Sequence, residues 1–127
     1  MEKIKAYCVS VEKKSAEEVD IVPSLATYYE LLACDCIDIV TRTVGGRTFD
    51  IICDDEALLK EPHHVSAVNH DMEPMLVGSL LFVHHDGEGN TTGITSDEAA
   101  FLGEYVRSLR TRNDPQGHPV VLGVEYE

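Results

Sequence analysis

Two consecutive glycines, Gly45 and Gly46, constrain the fold of this chain more than any other feature of its sequence. Residues 36–44 before them alternate in side-chain character, and residues 47–54 after them form a second segment rich in β-forming side chains. Glycine adopts the positive φ angles that a two-residue hairpin turn requires. The pattern therefore predicts an antiparallel β-hairpin whose turn is Gly45-Gly46.

Three further segments have the character of strands. Residues 3–12 alternate with a period of two, and residues 120–126 form a last apolar segment. Residues 76–85 are strongly apolar and contain Gly78, which predicts a bulge or a close approach of another backbone. We therefore expect strands near both ends of the chain and one in its second half.

Two segments are predicted to be helices. Ser24 is a typical N-cap, and apolar residues then recur at helical spacing up to about Cys34. Thr95 and Glu98 form the Thr-x-x-Glu pattern of a capping box, and the apolar stripe that follows predicts a second helix to about Thr111. The segments between these elements are predicted to be turns or irregular loops: residues 13–20, 55–71, 86–90 and 113–119.

The order of these elements indicates a single domain of the α+β class that comprises residues 1–127. A chain of 127 residues has the size of one compact domain. With 43% hydrophobic residues, it has ordinary globular composition. Strands interrupted by two helices are typical of a mainly antiparallel sheet covered by helices.

The charge of the chain excludes two classes of partner. The formal net charge is −13, with 23 acidic residues against 10 basic ones. Affinity for duplex nucleic acid or for an anionic membrane depends on basic residues that neutralise phosphates, so we expect neither partner. The sequence has no apolar segment as long as a membrane span and no export signal at its start, which predicts a cytoplasmic protein whose cysteines remain thiols.

Five segments carry a resemblance to a known family. They are residues 29–32, 36–40, 49–56, 77–83 and 94–98. Over about residues 24–110 the chain resembles the family of domains of unknown function numbered 3846, which is known mainly from phages and other mobile elements. It differs from the family pattern in the histidines of its central loop and in its C-terminal strand.

The resemblance implies an accessory protein of a phage or another mobile element, and it implies little chemistry, since the family has no assigned activity. Small phage proteins of this size and architecture also look similar to the Thoeris anti-defence sponges, which sequester nucleotide immune signals without cleaving them. The resemblance therefore implies a protein that binds a ligand and does not react with it.

The histidines and cysteines are numerous, but their spacing predicts no metal site. The pair Cys34-x-Cys36 is tighter than the usual spacing of two zinc ligands, and the adjacent residues His84 and His85 must point to opposite faces of a strand. The sequence also contains no nucleophile-elbow motif and no glycine-rich phosphate loop. We therefore expect no metal, no cofactor and no catalytic residue.

The arginines are the residues that we expect to bind a ligand. Residues 48–106 contain twelve carboxylates and one basic side chain, and arginines stand on both sides of this acidic segment. A guanidinium group matches the geometry of a phosphate group. The candidates are Arg42 and Arg47 beside the hairpin turn and Arg107, Arg110 and Arg112 at the end of the second predicted helix. At that position Arg107 and Arg110 would equally serve to stabilise the C-terminal end of the helix dipole.

Two further residues are predicted to complete the pocket. Phe82 would stack on a nucleobase and Asn90 would recognise its edge. The alternatives are that Phe82 belongs to the hydrophobic core and that Asn90 is a turn residue.

Two functions follow as hypotheses. The first is sequestration of a small anionic nucleotide of host defence by a homo-oligomer, in which edge strands such as residues 120–126 would pair between chains. The second is inhibition of a host defence protein whose basic groove would bind the carboxylates as if they were the phosphates of DNA. The first depends on the arginines, and the second depends on the acidic residues.

Overall fold

In the computed structural model, which describes residues 2–61, 63–112 and 114–127, the chain forms two β-sheets and two α-helices. The elements are β1 (Ile4–Ser10), β2 (Ser15–Ile21), α1 (Leu25–Leu32), β3 (Ile37–Val44), β4 (Arg47–Asp54), a single 3₁₀ turn (Ala57–Leu59), β5 (Val65–Val68), β6 (Pro74–Val77), β7 (Leu80–His85), β8 (Thr91–Thr92), α2 (Ser96–Gly103), β9 (Val106–Thr111), β10 (Asp114–Val121) and β11 (Val124–Tyr126).

The strands of the first sheet are ordered β11-β3-β4-β7-β1-β2, and β8 pairs with β7. All of these pairs are antiparallel. The second sheet has the order β6-β5-β10-β9, and only its β5–β10 pair is parallel among the described strands. The α+β class with a mainly antiparallel sheet is therefore confirmed.

The first sheet lies between two layers. Helix α1 covers one face, where Tyr28 and Leu32 pack with sheet residues such as Ile52 and Leu81. Helix α2 and the second sheet cover the opposite face. The residues buried there include Val9, Ile51, Phe82, Leu102 and Val121. Burial of both faces explains why consecutive residues are apolar in the interior of the sheet, at Ile51–Cys53 in β4 and at Leu80–Val83 in β7.

The local signals in the sequence are confirmed. Gly45 and Gly46 have φ angles of 57° and 85° and join β3 to β4, with Val44 opposite Arg47. Ser24 caps α1 by accepting a hydrogen bond from the backbone N–H of Thr27. Thr95 and Glu98 form the expected capping box at the start of α2.

The second helix is much shorter than the sequence predicts. It ends at Gly103, and the backbone N–H of Tyr105 closes its last turn on the carbonyl of Leu102 at 2.9 Å. Residues from Val106 onward form β9, which pairs with β10. Glycine weakens a helix, and the β-branched residues that follow favour a strand. The apolar stripe was compatible with a helix, but pairing with a distant strand determines the outcome. The interpretation of Arg107 and Arg110 as helix-terminal residues is therefore wrong.

Other boundaries also differ from the prediction. The charged segment 15–21 is an edge strand instead of a turn, since solvent accepts the charges of an edge strand. Gly78, at φ 86°, divides the apolar segment into β6 and β7, which belong to different sheets. The loop predicted at 55–71 contains a 3₁₀ turn and β5. The break predicted at 113–119 begins at Asn113, which lies outside the described residues, and continues in β10 as a bulge next to Gly117 at φ 81°.

The predicted last strand, residues 120–126, is divided at Gly123, which has a φ angle of 68°. Val120 and Val121 belong to β10, which is an interior strand of the second sheet, so they offer no edge to a second chain. Of the two strands in this segment, β11 is the one at a sheet edge, beside β3. Within the described residues, neither helix is long and apolar enough to cross a membrane.

Candidate anion-binding site

The arginines differ from the lysines in their partners. Lys5, Lys14 and Lys60 all form ion pairs with carboxylates. Among the described residues, no arginine forms such a pair. In a chain with 23 acidic residues, the guanidinium groups are thus kept apart from internal carboxylates and retain donors for an external anion.

The two arginines of the hairpin rest on aromatic rings. The guanidinium carbon of Arg42 lies 4.6 Å from the ring centroid of Tyr126, and that of Arg47 lies 4.1 Å from the centroid of Phe101. Both distances are typical of cation–π contacts. These contacts hold Arg42 against β11 and Arg47 against α2.

Arg107 occupies the start of β9. Its Nη1 donates hydrogen bonds to the carbonyls of Glu104 at 2.9 Å and Val106 at 2.8 Å. Both partners are neutral carbonyls, so neither of them compensates the positive charge of the guanidinium. Arg110 stands three residues later on the same strand and therefore on its opposite face. Arg112 is exposed just beyond β9.

Arg107 lines a cavity of about 310 Å³. The half-buried Tyr105 is the aromatic residue of its lining, and a methyl group on Gly123 would lie 3.5 Å from Cδ2 and Cε2 of that ring. The cavity is lined by Asn69, His70, Met72, Glu104, Tyr105, Arg107, Leu122 and Gly123. Its volume is at the lower end of the range of small-molecule sites, about 300–1,000 Å³.

Three contacts fix Tyr105 in this wall. Its carbonyl accepts a hydrogen bond from the backbone N–H of Leu122 at 2.8 Å. Its ring lies 5.1 Å from that of Phe101, centroid to centroid. A methyl group built on Gly45 would come within 2.1 Å of the Tyr105 hydroxyl oxygen, so the hairpin turn is packed directly against this side chain.

The charges around the cavity are mixed. Glu104 contributes to its lining, and a carboxylate oxygen of Glu125 lies 3.4 Å from Nδ1 of His70. Arg107 supplies the one permanent positive charge of the lining residues that the structure describes. Arg107 also lines a second cavity, of about 300 Å³, together with Lys14, Ser108 and Gln116. Arg107 therefore borders two cavities.

The structure places the other predicted residues elsewhere. Phe82 is fully buried between Tyr7 and Phe49, with edge-to-face ring contacts at 6.5 and 6.0 Å, so it cannot stack on a ligand. Asn90 is exposed, and its Nδ2 donates to Asp86 at 3.3 Å within the turn before β8. The expected pocket of Phe82, Asn90 and five arginines is not assembled, and of these seven residues only Arg107 lines the cavity beside Tyr105.

Tyr105 and His70 were missed by the sequence analysis. Tyr105 lies in the segment that the apolar stripe predicts to be the second helix, but that helix ends at Gly103. Gly103 followed by β-branched Val106 was the signal that the helix ends there. His70 lies in a loop and becomes part of the cavity only through the folding of β11 and β9 around it, which no local pattern indicates.

Adjacent histidines on β7 point to opposite faces, as predicted. His84 Nε2 contacts a carboxylate oxygen of Glu98 at 2.6 Å on the α2 side, and its ring stacks on Phe49. His85 Nδ1 contacts the carboxylate of Asp50 on the α1 side. The pKa of Glu98 is lowered because His84 and the backbone N–H of Thr95 stabilise its charge against a desolvation cost that acts in the opposite direction.

Comparison of the chain with curated proteins and with solved structures found no match to either. The sequence profile of one family, described as "Domain of unknown function (DUF3846)", matches residues 4–109. The match begins earlier than the resemblance seen in the sequence and so includes β1 and β2. It also includes Tyr105 and Arg107. The chain belongs to the DUF3846 family.

Proposed function

We propose that the protein binds a small anionic ligand with a planar ring, such as a nucleotide, in the cavity between Tyr105 and Arg107. The observation that supports this most is that one cavity is lined both by a half-buried tyrosine and by an arginine whose hydrogen-bond partners among the described residues are carbonyls only. An aromatic ring stacks on a base, and a guanidinium binds phosphate with two parallel hydrogen bonds.

The ligand is held and not chemically changed in this proposal. Among the described lining residues there is no serine, threonine or cysteine beside a base. The resemblance to anti-defence sponges suggests a nucleotide signal of host defence as the ligand, bound in the cytoplasm, and it suggests a protein encoded by a mobile element.

The rival hypothesis of phosphate mimicry depends on the acidic segment 48–106. Five of its carboxylates form hydrogen bonds within the chain: Asp50 with Thr41 and His85, Asp54 with Lys60, Glu73 with Asn69, Asp86 with the backbone of its turn, and Glu98 with His84 and Thr95. Carboxylates that already accept hydrogen bonds within the chain are less free to imitate the phosphates of DNA. No structural observation favours this function over ligand binding.

The test is isothermal titration of the purified protein with a panel of mononucleotides, cyclic nucleotides and ADP-ribose derivatives, after native mass spectrometry has identified any ligand that co-purifies. Arg107→Ala removes charge-assisted hydrogen bonds that are each worth about 1.5–3 kcal/mol. We therefore expect its affinity to fall by roughly tenfold to more than a hundredfold.

Arg110→Ala is the matched control, because it removes the same charge from the opposite face of the same strand. Its affinity should stay within about twofold of the wild type, since exposed charges at this range are screened. Equal losses in both variants would show that only the general charge of β9 matters. Unchanged binding in Arg107→Ala would exclude this cavity as the site.

A further inference from the structure

A bulge in β10 brings two polar side chains together inside the protein. The register of β10 against β9 passes from Thr111 opposite Asp114 to Leu109 opposite His118, so extra residues are accommodated on β10. Gly117 makes this possible, because a methyl group at that position would come within 2.6 Å of Ser108 Oγ, at a φ angle of 81°. Bulges of this kind commonly redirect side chains at functional sites.

His118 has hydrogen-bond acceptors at both ring nitrogens. Its Nε2 lies 2.7 Å from the carbonyl oxygen of Val65, and its Nδ1 lies 2.9 Å from Oδ2 of Asp114. A carbonyl oxygen only accepts, so Nε2 carries the hydrogen. In a neutral imidazole, Nδ1 then presents a lone pair to a carboxylate oxygen. His118 is 3% exposed and Asp114 is 8% exposed, so these two potential ligand atoms face each other away from solvent.

A third side chain converges on the same point. The ring of His64 lies 5.1 Å from that of His118, centroid to centroid, and nearly perpendicular to it. One donor atom from each of His64, Asp114 and His118 lies within 4.8 Å of the other two. His64 is half-buried and also lines a separate cavity of about 240 Å³.

We propose that His64, Asp114 and His118 bind a divalent transition-metal ion of the zinc class. Two imidazole nitrogens and one carboxylate oxygen form a donor set that suits zinc and leaves one coordination position for water. The hydrogen bond from Nε2 of His118 to Val65 is the support that metal-bound histidines usually have on their other nitrogen. This proposal goes beyond the binding of an anion at Arg107 and does not depend on it.

The distances and charges are compatible with the ion. In a tetrahedral zinc site, bonds of about 2.0–2.1 Å place ligand atoms about 3.3 Å apart. Nδ1 and Oδ2 at 2.9 Å need to separate by a few tenths of an ångström, and the half-buried ring of His64 needs to turn inward. The ammonium group of Lys14 opposes a second cation, but it binds Oδ1 of Asp114 at 2.7 Å and leaves Oδ2 for the metal.

The test uses Zn²⁺ alone as the probe. The protein is treated with a chelator, dialysed and titrated with Zn²⁺ in competition with a chromophoric chelator, and the bound metal is counted by mass spectrometry. We expect one ion per chain in the wild type. Loss of a ligand in His64→Gln should weaken binding by more than the roughly 10–100-fold that loss of a supporting group costs.

His63→Gln is the matched control, because His63 is the exposed neighbour that contacts the carbonyl of Leu58 instead. Its affinity should equal that of the wild type. Equal binding by His64→Gln and His63→Gln overturns the proposal, and so does the absence of Zn²⁺ binding by the wild type.

Buried His118 is not the primary target, since its loss could prevent folding. NMR of the wild-type histidine ring nitrogens gives a second measurement that needs no variant. A change in the Nδ1 resonance of His118 on addition of Zn²⁺, with Nδ1 unprotonated at saturation, supports the site. A His118 ring with protons on both nitrogens at saturating Zn²⁺ overturns it, because a protonated Nδ1 has no lone pair to give a metal.

Discussion

Asp50 is a carboxylate in the middle of a central strand, with a side chain that is 7% exposed. Two groups on the α1 side of the sheet compensate for its burial. The hydroxyl of Thr41 donates to Oδ1 at 3.0 Å, and Nδ1 of His85 contacts Oδ2. The hydrogen bond between His85 and Asp50, and secondarily the negative charge of Asp50, raise the pKa of His85 above its ordinary value of 6.5.

The raised pKa of His85 makes part of the folding stability depend on pH. The protonated histidine is favoured in the folded state, so its contribution is fully present below pH 6.5 and is lost as the pH rises through the raised value. We expect the difference in free energy of unfolding between the wild type and His85→Gln to be larger at about pH 6 than at about pH 9. Urea denaturation at both pH values measures it.

Asp50→Asn is the companion variant, since it removes the partner and keeps the histidine. Its own difference from the wild type should shrink with rising pH in the same direction, because the imidazolium loses its carboxylate. A difference that is constant with pH in both variants would mean that the pair contributes packing and neutral hydrogen bonding only.

At the scale of elements, the β3–β4 hairpin connects the fold to the candidate site. Gly45 and Gly46 both have positive φ angles, but only Gly45 is in contact with other parts of the chain. A methyl group on Gly45 would meet the Tyr105 hydroxyl at 2.1 Å and the Phe101 ring at 2.8 Å, whereas one on Gly46 would meet nothing within 4 Å. Alanine substitutions at the two positions therefore distinguish two costs: both introduce backbone strain, and only the one at Gly45 also introduces a steric clash.

Gly46→Ala should lower the free energy of unfolding by about 1–2 kcal/mol, the usual cost of a left-handed conformation in a residue with a side chain. Gly45→Ala has the same backbone cost and also displaces Tyr105. We therefore expect it to lower the free energy of unfolding by about 1–3 kcal/mol more than Gly46→Ala, because the site becomes overpacked. Equilibrium denaturation in urea compares them. Equal losses would show that Tyr105 moves away without resistance.

Elements with local signals were predicted from the sequence, and elements defined by distant partners were not. The Gly45-Gly46 turn, the Ser24 cap and the Thr95–Glu98 capping box each depend on residues a few positions apart. Strand β9 forms because it pairs with β10, and β2 forms because it pairs with β1 although its side chains are charged. Neither pairing is visible in the periodicity of one segment.

The candidate site was predicted in part, for the same reason. The contrast with the acidic segment before it made Arg107 a candidate, and Arg107 does line a cavity. The aromatic residue that lines this cavity is Tyr105 and not Phe82, because burial of Phe82 on the face covered by α2 and the second sheet is a property of the assembled layers. The grouping of His64 with His118 likewise depends on β5 lying beside β10.

The net charge of −13 is a property of the whole molecule and opposes its compactness. Three lysines form ion pairs with carboxylates, but most acidic side chains are exposed and lack a basic partner among the described residues. Repulsion between such carboxylates acts over the Debye length, about 30 Å at 0.01 M salt and about 8 Å at 0.15 M. Salt therefore removes more repulsion than attraction in this chain.

We accordingly expect the free energy of unfolding to increase when NaCl is raised from about 0.01 to about 0.15 M, a range over which screening dominates other salt effects. Urea denaturation at fixed pH measures the change, and potassium acetate at the same ionic strength controls for binding of chloride or sodium. A decrease in both salts would show that the ion pairs of Lys5, Lys14 and Lys60 outweigh the general repulsion. Because Lys14 bonds to Asp114, that result would also make Lys14→Met the next variant to examine, at both salt concentrations.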